Sequence, residues 1–329
     1  MNSVSIVAIA IGAGLLSWLG AWRLIHTLKR RDILDRPNQR SSHAAPTPRG
    51  GGIAVIGAIL VAWAAIALFT RAPSDMWVVL GAALGLAMLS WRDDRVGLPV
   101  HVRLVGQAMA VTAALAATPG AGGLFGSWMP AWLGAVAIGL AWLWFVNLFN
   151  FMDGIDGLDG GEALSIGIGV VAVVVFARAD PPLAAMGAAA AAAALGFLAW
   201  NWHPARIFLG DVGSVPLGFL FGFLLLRLAE AGQWVAALIL PAYFLADATL
   251  TLLVRAMKGE PVWQAHKQHF YQRAVQGGLS HAQVAGRVLA ANALLIATSL
   301  LAPGGHAALA LGAAVLIVAG LLALLARAR

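Results

Sequence analysis

The chain predicts an all-α bundle of transmembrane helices, and three observations carry that prediction. Of its 329 residues, 61% are hydrophobic and only 11% charged. A soluble domain of this size could not hide so much apolar surface, so lipid is the solvent that tolerates it. Apolar runs of about 20 residues, the length that crosses a hydrocarbon core, recur from end to end. The basic residues between the runs alternate in a way that a single orientation explains.

Eleven runs stand out, near 3–25, 51–70, 76–91, 101–118, 131–148, 163–178, 182–200, 214–229, 234–254, 288–302 and 306–326. They form one integral-membrane domain over 1–329, with no internal repeat and no long linker. The alanine run near 188–195 predicts close helix packing, because small residues let backbones approach. No basic segment precedes the first run, and Lys29, Arg30 and Arg31 follow it. That order describes an uncleaved anchor with a periplasmic N-terminus, not a signal peptide. An odd number of spans then puts the C-terminus in the cytoplasm. In this arrangement Arg71, Arg178 and Arg227 alone are external, out of 21 lysines and arginines. The net charge of +7 is thus explained by membrane orientation, and no nucleic-acid partner is expected. The absence of cysteine excludes disulfides and thiolate metal sites.

The same topology sorts the acids. Asp75, Asp180 and Glu230 fall outside, whereas Asp93, Asp94, Asp153, Asp156, Asp159, Glu162 and Asp211 fall at the cytoplasmic rim. Short loops force these carboxylates toward one membrane-level face. In Asn150-Phe-Met-Asp153-Gly-Ile-Asp156-Gly-Leu-Asp159, three aspartates recur at a spacing of three with glycines between them. An EF-hand is excluded, since its first ligands sit two apart. Carboxylates beside amides freed by glycine suit Mg²⁺ with a diphosphate, because Mg²⁺ takes one or two carboxylates and fills its shell with phosphate and water. Asp211, between Gly210 and Gly213 at the start of the eighth run, reads as an N-cap or as a metal ligand where the helix dipole favours phosphate. Asp93-Asp94, between Arg92 and Arg95, reads as a local salt-bridge cluster or as a catalytic pair.

Two basic loops complete the pattern. The first carries Arg40, His43 and Arg49 ahead of Gly50-Gly51-Gly52, and looks like a shaped anion-binding loop. The second carries His266, Lys267, His269 and Arg273 with Phe270 and Tyr271. A zinc-protease motif is excluded, because it needs histidines four apart with an adjacent glutamate. A cationic, aromatic-flanked patch for phosphate or a nucleobase fits better, with an amphipathic interfacial helix as the alternative. Asp247 lies inside the ninth run, where a charge is costly and needs a partner or a function. Asn147, Asn150 and Asn201 are candidate hydrogen-bonders.

These motifs, in this order, resemble the polyprenyl-phosphate N-acetylhexosaminyl-1-phosphate transferases, glycosyl transferase family 4. The likeness runs through Arg-Ser-Ser-His…Pro-Arg-Gly-Gly-Gly, the Asp pair, Asn-Phe-Met-Asp-Gly-Ile-Asp-Gly-Leu, Phe-Leu-Gly-Asp-Val-Gly-Ser and the last histidine loop. The resemblance implies Asp211 as an Mg²⁺ ligand (Mn²⁺ as a substitute), Asp93 and Asp94 at the lipid phosphate, and Asp153 and Asp156 at the metal–diphosphate site. Asn150, Arg40, His43, Arg49, His266, Lys267, His269 and Arg273 would bind substrate. The implied partners are a UDP-N-acetylhexosamine, undecaprenyl phosphate and the lipid bilayer of the bacterial inner membrane, and a homodimer is compatible with this reading. Position 97 is glycine where the family extends its Asp pair to Asp-x-x-Asp, and the last loop reads His266-Lys-Gln-His269 instead of His-x-His-His or three histidines. Both departures favour the branch that starts O-antigen or other surface polysaccharides over the phospho-N-acetylmuramoyl-pentapeptide transferase. The rival from another class, an ion-coupled transporter, would place polar groups near the midplane and show repeats.

Overall fold

The computed structural model describes residues 3–36, 45–70, 74–118, 120–262, 264 and 266–328. Arg40 and His43 lie outside them. Eight long helices come first: α1 (Ser3–Arg30), α2 (Gly52–Thr70), α3 (Ser74–Val96), α4 (Val100–Ala117), α5 (Ala131–Met152), α6 (Leu158–Phe176), α7 (Pro181–Asn201) and α8 (Asp211–Leu228). They are followed by the short α9 (Trp234–Ile239), α10 (Ala242–Met257), the short α11 (Phe270–Gln276), α12 (His281–Ser299) and α13 (Ala307–Ala326). The strand content among the described residues is one antiparallel pair of two-residue strands, β1 (Leu34–Asp35) and β2 (Thr47–Pro48).

Ten helical stretches among these residues are long and apolar enough to cross a membrane, against the eleven expected. The difference lies in the run near 234–254, which is helical but divided. Pro241 has no N–H to donate to the preceding turn, so α9 ends at Ile239 and α10 begins at Ala242. Upstream, α8 passes through a π-helical turn, Ala229–Gln233, into α9, broken at Gly232 with φ of 82°. The fold is nonetheless the expected polytopic helical bundle.

Burial separates an inner from an outer layer. α8 buries nearly every side chain, including Phe219, Phe221 and Phe223, and α6 and α7 are almost as enclosed. α1 instead turns Val4, Val7, Ile11 and Leu15 outward, as a helix facing lipid must. Lipid tails are as apolar as leucine, so close van der Waals packing holds the bundle together. The alanine-rich α7 shows this, packing against α1 and α6 with Gly196 against the backbone of Gly14 and Gly187 against that of Gly167.

α3 and α8 run antiparallel and define the two ends of the molecule. At one end Arg227 Nη1 lies 3.5 Å from Asp75 Oδ2 and 3.1 Å from Glu230 Oε2. At the other, the Asp94 carboxylate accepts hydrogen bonds from the N–H groups of Asp211 (3.1 Å) and Val212 (2.9 Å). Roughly 16 residues separate Asp211 from Arg227, or ~24 Å at 1.5 Å per residue, close to the thickness of a hydrocarbon core. The motif acids therefore gather at one rim. α2 meets α8 so closely there that a Cβ on Gly52 would stand 2.2 Å from the Gly213 Cα.

That contact yields a test. Gly52→Ala is expected to force the two helices apart at a cost of about 1–3 kcal/mol, lowering the melting temperature in detergent. Gly57→Ala, on the same helix with nothing within 4 Å of its Cβ, should leave the melting temperature unchanged.

Candidate active site

The site is assembled by a backbone splice between two loops. The Phe208 N–H donates to Pro48 O (2.8 Å), and the Gly51 and Gly52 N–H groups donate to Phe208 O (2.8 Å) and Leu209 O (2.9 Å). The triple glycine thus holds the loop ending at α2 against the loop entering α8, and its amides are engaged there instead of being offered to an anion. The splice delivers Arg49 to the start of α8. Gly210 has φ of 74° and ψ of 169°, a conformation that strains any other residue, and a Cβ there would meet Asp94 Oδ2 at 2.9 Å.

Arg49 Nη2 lies 2.9 Å from Asp94 Oδ1 and 2.8 Å from Asp211 Oδ1. Burial opposes its charge, but the carboxylates of Asp94 and Asp211 more than offset this and raise its pKa. Asp153 follows α5 and joins the same group, accepting a hydrogen bond from the Gly210 N–H. Burial above all, with repulsion from Asp211 and Asp94, pushes Asp153 up to about 7 against the pull of Arg49. Asp93 turns the other way, accepting from the Leu98 N–H and from Arg103 Nη1 (3.1 Å), which also stands 3.9 Å from Asp211 Oδ2. The adjacent pair is therefore split between two arginines from distant segments, while Arg95 lies over the Trp91 ring.

Four carboxylates thus face two guanidiniums, leaving two negative charges uncompensated when all are ionised. The donors are carboxylate oxygens, and a cation would offset both the burial and the repulsion from Asp211 and Asp94 that raise Asp153. The residues fit a hard divalent ion such as Mg²⁺.

An apolar cavity of about 370 Å³ opens beside this cluster. Leu89, Leu104, Leu140, Leu143 and Trp144 form its walls, and Asp93, Arg103, Asn150 and Asp211 stand at its polar end. Asn150 donates to Ser214 Oγ (2.8 Å), locking α5 to α8, and Asn147 donates to Gln107 Oε1 (2.8 Å) on α4.

The remaining expected residues lie elsewhere. Asp156 is turned away from the acidic cluster toward His203 and His281. Burial opposes its ionised form, but hydrogen bonds from His281, His203 and the Ala205 N–H hold its pKa below the usual carboxylate value. His269 is buried, with Nδ1 3.2 Å from Asp247 Oδ1, so it acts as an anchor of its loop and not as an open substrate contact. It also precedes α11, so His266 and His269 do not share a helical face, although their rings lie 4.8 Å apart. His266 and Lys267 are partly exposed, and Arg273 is exposed over the Phe270 ring. Asp247 has its partners here: the Tyr243 and Thr251 hydroxyls, His269, and the N–H groups of Phe270 and Tyr271. Sequence reasoning overlooked Arg103, His203 and His281. Arg103 had a legible signal, a charge in the first turn of an apolar run.

The profile of glycosyl transferase family 4 matches residues 76–229. A decaprenyl-phosphate N-acetylglucosaminephosphotransferase of Mycolicibacterium smegmatis is 31% identical over 283 residues, covering 74% of this chain and 69% of the relative. The chain belongs to glycosyl transferase family 4. This transferase is also 28% identical over 260 residues to a probable undecaprenyl-phosphate N-acetylglucosaminyl 1-phosphate transferase of Bacillus subtilis, covering 75% and 71% of the two chains. To the undecaprenyl-phosphate alpha-N-acetylglucosaminyl 1-phosphate transferase of Escherichia coli K12 it is 27% identical over 322 residues, covering 93% and 86%. The matched segment of the transferase, from α3 through α8, carries Asp93, Asp94, Asp153 and Asp211.

Asp247→Ala should release the last loop of the transferase. Removing one side of a buried charged network costs roughly 3–5 kcal/mol, and the expected outcome is faster protease cleavage between residues 258 and 269 than in the parent. Equal cleavage rates would show that the loop does not depend on Asp247.

Proposed function

We propose that this transferase moves an N-acetylhexosamine-1-phosphate from a UDP-sugar to undecaprenyl phosphate, releasing UMP, with Mg²⁺ (or Mn²⁺) as its metal. The reaction takes place on the cytoplasmic face of the bacterial inner membrane, as the first membrane step of O-antigen or another envelope polysaccharide. One observation carries this reading: Arg49 joins Asp94 to Asp211, Asp153 lies within their field, and Asp211 also lines the polar end of an apolar cavity. A lipid chain needs the cavity, and two phosphorylated reactants need cations at its mouth. The names of the relatives point to a polyprenyl-phosphate acceptor and an N-acetylglucosaminyl phosphate donor group.

Asp153 and Asp211 would hold the metal, which when bound would neutralise charge on the diphosphate and the departing nucleotide. Arg49, with 37% of its side chain exposed, is placed to leave its carboxylate partners and grip the donor diphosphate. Arg103 receives the acceptor phosphate where the apolar cavity ends, and Asp93 fixes the Arg103 guanidinium through its 3.1 Å contact. A phosphate monoester has a second pKa of about 6, so the acceptor is already largely dianionic at neutral pH. It needs positioning more than deprotonation, and Asp93 serves as an orienting group. Asp94, bonded to the first N–H groups of α8, keeps the Asp211 backbone fixed at the rim.

The direct test is to incubate purified protein with undecaprenyl phosphate and a panel of UDP-sugars, and read the lipid product by mass. The expected product is a polyprenyl diphosphate N-acetylhexosamine, formed only with divalent metal and abolished by Asp211→Asn. Undiminished turnover in that variant would remove Asp211 from the site.

Two further outcomes follow from the geometry. Arg103→Ala should raise KM for the polyprenyl phosphate at least roughly tenfold, the cost of about 1.4 kcal/mol of charge-assisted contact, with KM for the UDP-sugar little changed. A proton on Asp153 competes with the metal, and its pKa stands at about 7. Mg²⁺ affinity is therefore full above pH 7 and should fall by roughly tenfold per pH unit below it, as one competing proton requires; titration calorimetry at several pH values measures this.

A further inference from the structure

Asp156 stands at the centre of a second cluster, away from the acidic one. Its Oδ2 lies 2.6 Å from His203 Nδ1 and its Oδ1 lies 3.3 Å from His281 Nδ1. One ligand atom from each of the three residues falls within 4.8 Å of the other two. They arrive on three separate segments: the turn between α5 and α6, the loop between α7 and α8, and the first residue of α12. Asp156 and His281 are buried, and His203 keeps 38% of its side chain exposed.

The His281 ring carries a conflict that hydrogen bonding alone does not resolve. Its Nδ1 lies 3.3 Å from the Asp156 N–H and 3.3 Å from the Asp156 carboxylate. A protonated Nδ1 suits the carboxylate and opposes the N–H, whereas an unprotonated Nδ1 sets a lone pair against the carboxylate charge. A cation among the three side chains would take the Nδ1 lone pair and the carboxylate as ligands, in place of the long 3.3 Å hydrogen bond from the Asp156 N–H. The donor set selects the kind of cation. Mg²⁺ and Ca²⁺ take oxygen ligands, whereas two imidazoles with one carboxylate suit Zn²⁺ and its first-row neighbours. The surroundings also suit a bound ion. The Trp202 ring packs against Gly157, where a Cβ would meet it at 2.9 Å, so one wall is apolar. The exposed side of His203 leaves room for water as a fourth ligand.

We propose that Asp156, His203 and His281 form a transition-metal site, with zinc the favoured ion, that pins the aspartate–glycine turn to α12 and to the loop entering α8. It would thereby set the position of Asp153, three residues from Asp156, without taking part in the transfer itself. The site does not depend on which sugar or lipid the enzyme uses.

The test uses the full-length protein in detergent, stripped with a chelator and titrated with Co²⁺ in excess Mg²⁺, so that the oxygen-rich cluster stays filled. The expected result is one equivalent of Co²⁺ with the intense visible ligand-field bands of a four-coordinate site, displaced by Zn²⁺. His203→Ala and His281→Ala should each weaken binding by more than about 100-fold, since even indirect partners of metal ligands are worth 10–100-fold. Their metal-free melting temperatures should match the metal-free parent, showing that the fold persists. Should an alanine variant not fold, His203→Gln and His281→Gln keep a hydrogen-bonding side chain but lose the imidazole ligand, and must show the same loss. No stoichiometric Co²⁺ uptake, or bands that survive in the histidine variants, would overturn the proposal and leave the three residues as a hydrogen-bonded clasp.

Discussion

The arrangement depends on how an ionised carboxylate survives at the membrane rim. Asp94 has only 4% of its side chain exposed, and an isolated buried charge there would be prohibitively costly. It is kept by three donors: the N–H groups of Asp211 and Val212 and the Arg49 guanidinium. Each ties α3 to a different consequence. The two amides fix the N-terminus of α8, the most enclosed long helix, and the guanidinium fixes the loop that leads into α2. The same carboxylate thus joins three elements and sets Asp211 against Asp153. A bundle held otherwise by van der Waals contact gains its register at this rim from these polar contacts.

The need for partners also explains the division of labour among the acids. Asp247 is wholly buried yet surrounded by five donors, so it is satisfied and can only hold. Asp156 is turned instead toward two histidines and the Ala205 amide, apart from the acidic cluster. Asp153 and Asp211 share too few cations for their charge, so they are the ones poised to take another. The incomplete electrostatics thus lies beside the polar end of an apolar cavity.

Much of this was legible in the sequence. Ten of the eleven apolar runs survive as helices because each is long and apolar, and the chain's basic segments place the motif acids at one end. The ninth run was misjudged because hydropathy does not register what Pro241 does to the turn before it. The acids themselves stood out, since carboxylates flanked by glycine are costly in an apolar chain. Their pairings did not. Asp93 sits beside Arg92 and Arg95 in sequence but pairs with Arg103, one helix on, and Asp94 finds Arg49 from an earlier loop. The triple glycine read as part of an anion-binding loop, whereas the carbonyls of Phe208 and Leu209, more than 150 residues later, already occupy its amides. Likewise Asp153 and Asp156 looked equivalent, and only the arrival of His203 and His281 from distant segments separates them. Helices follow from local composition; partners follow from tertiary packing.

The central proposal is that Asp153 and Asp211 would hold a divalent ion whose charge would offset that of the reactants' phosphates. Pulsed electron paramagnetic resonance with Mn²⁺ in place of Mg²⁺ tests it most directly, because phosphorus nuclei coordinated through oxygen couple to the bound spin. The account predicts one Mn²⁺ per chain with phosphorus couplings from the UDP-sugar, altered by polyprenyl phosphate and lost in Asp153→Asn and Asp211→Asn. A bound ion indifferent to both substitutions, or one without phosphorus coupling when the nucleotide sugar is saturating, would contradict it.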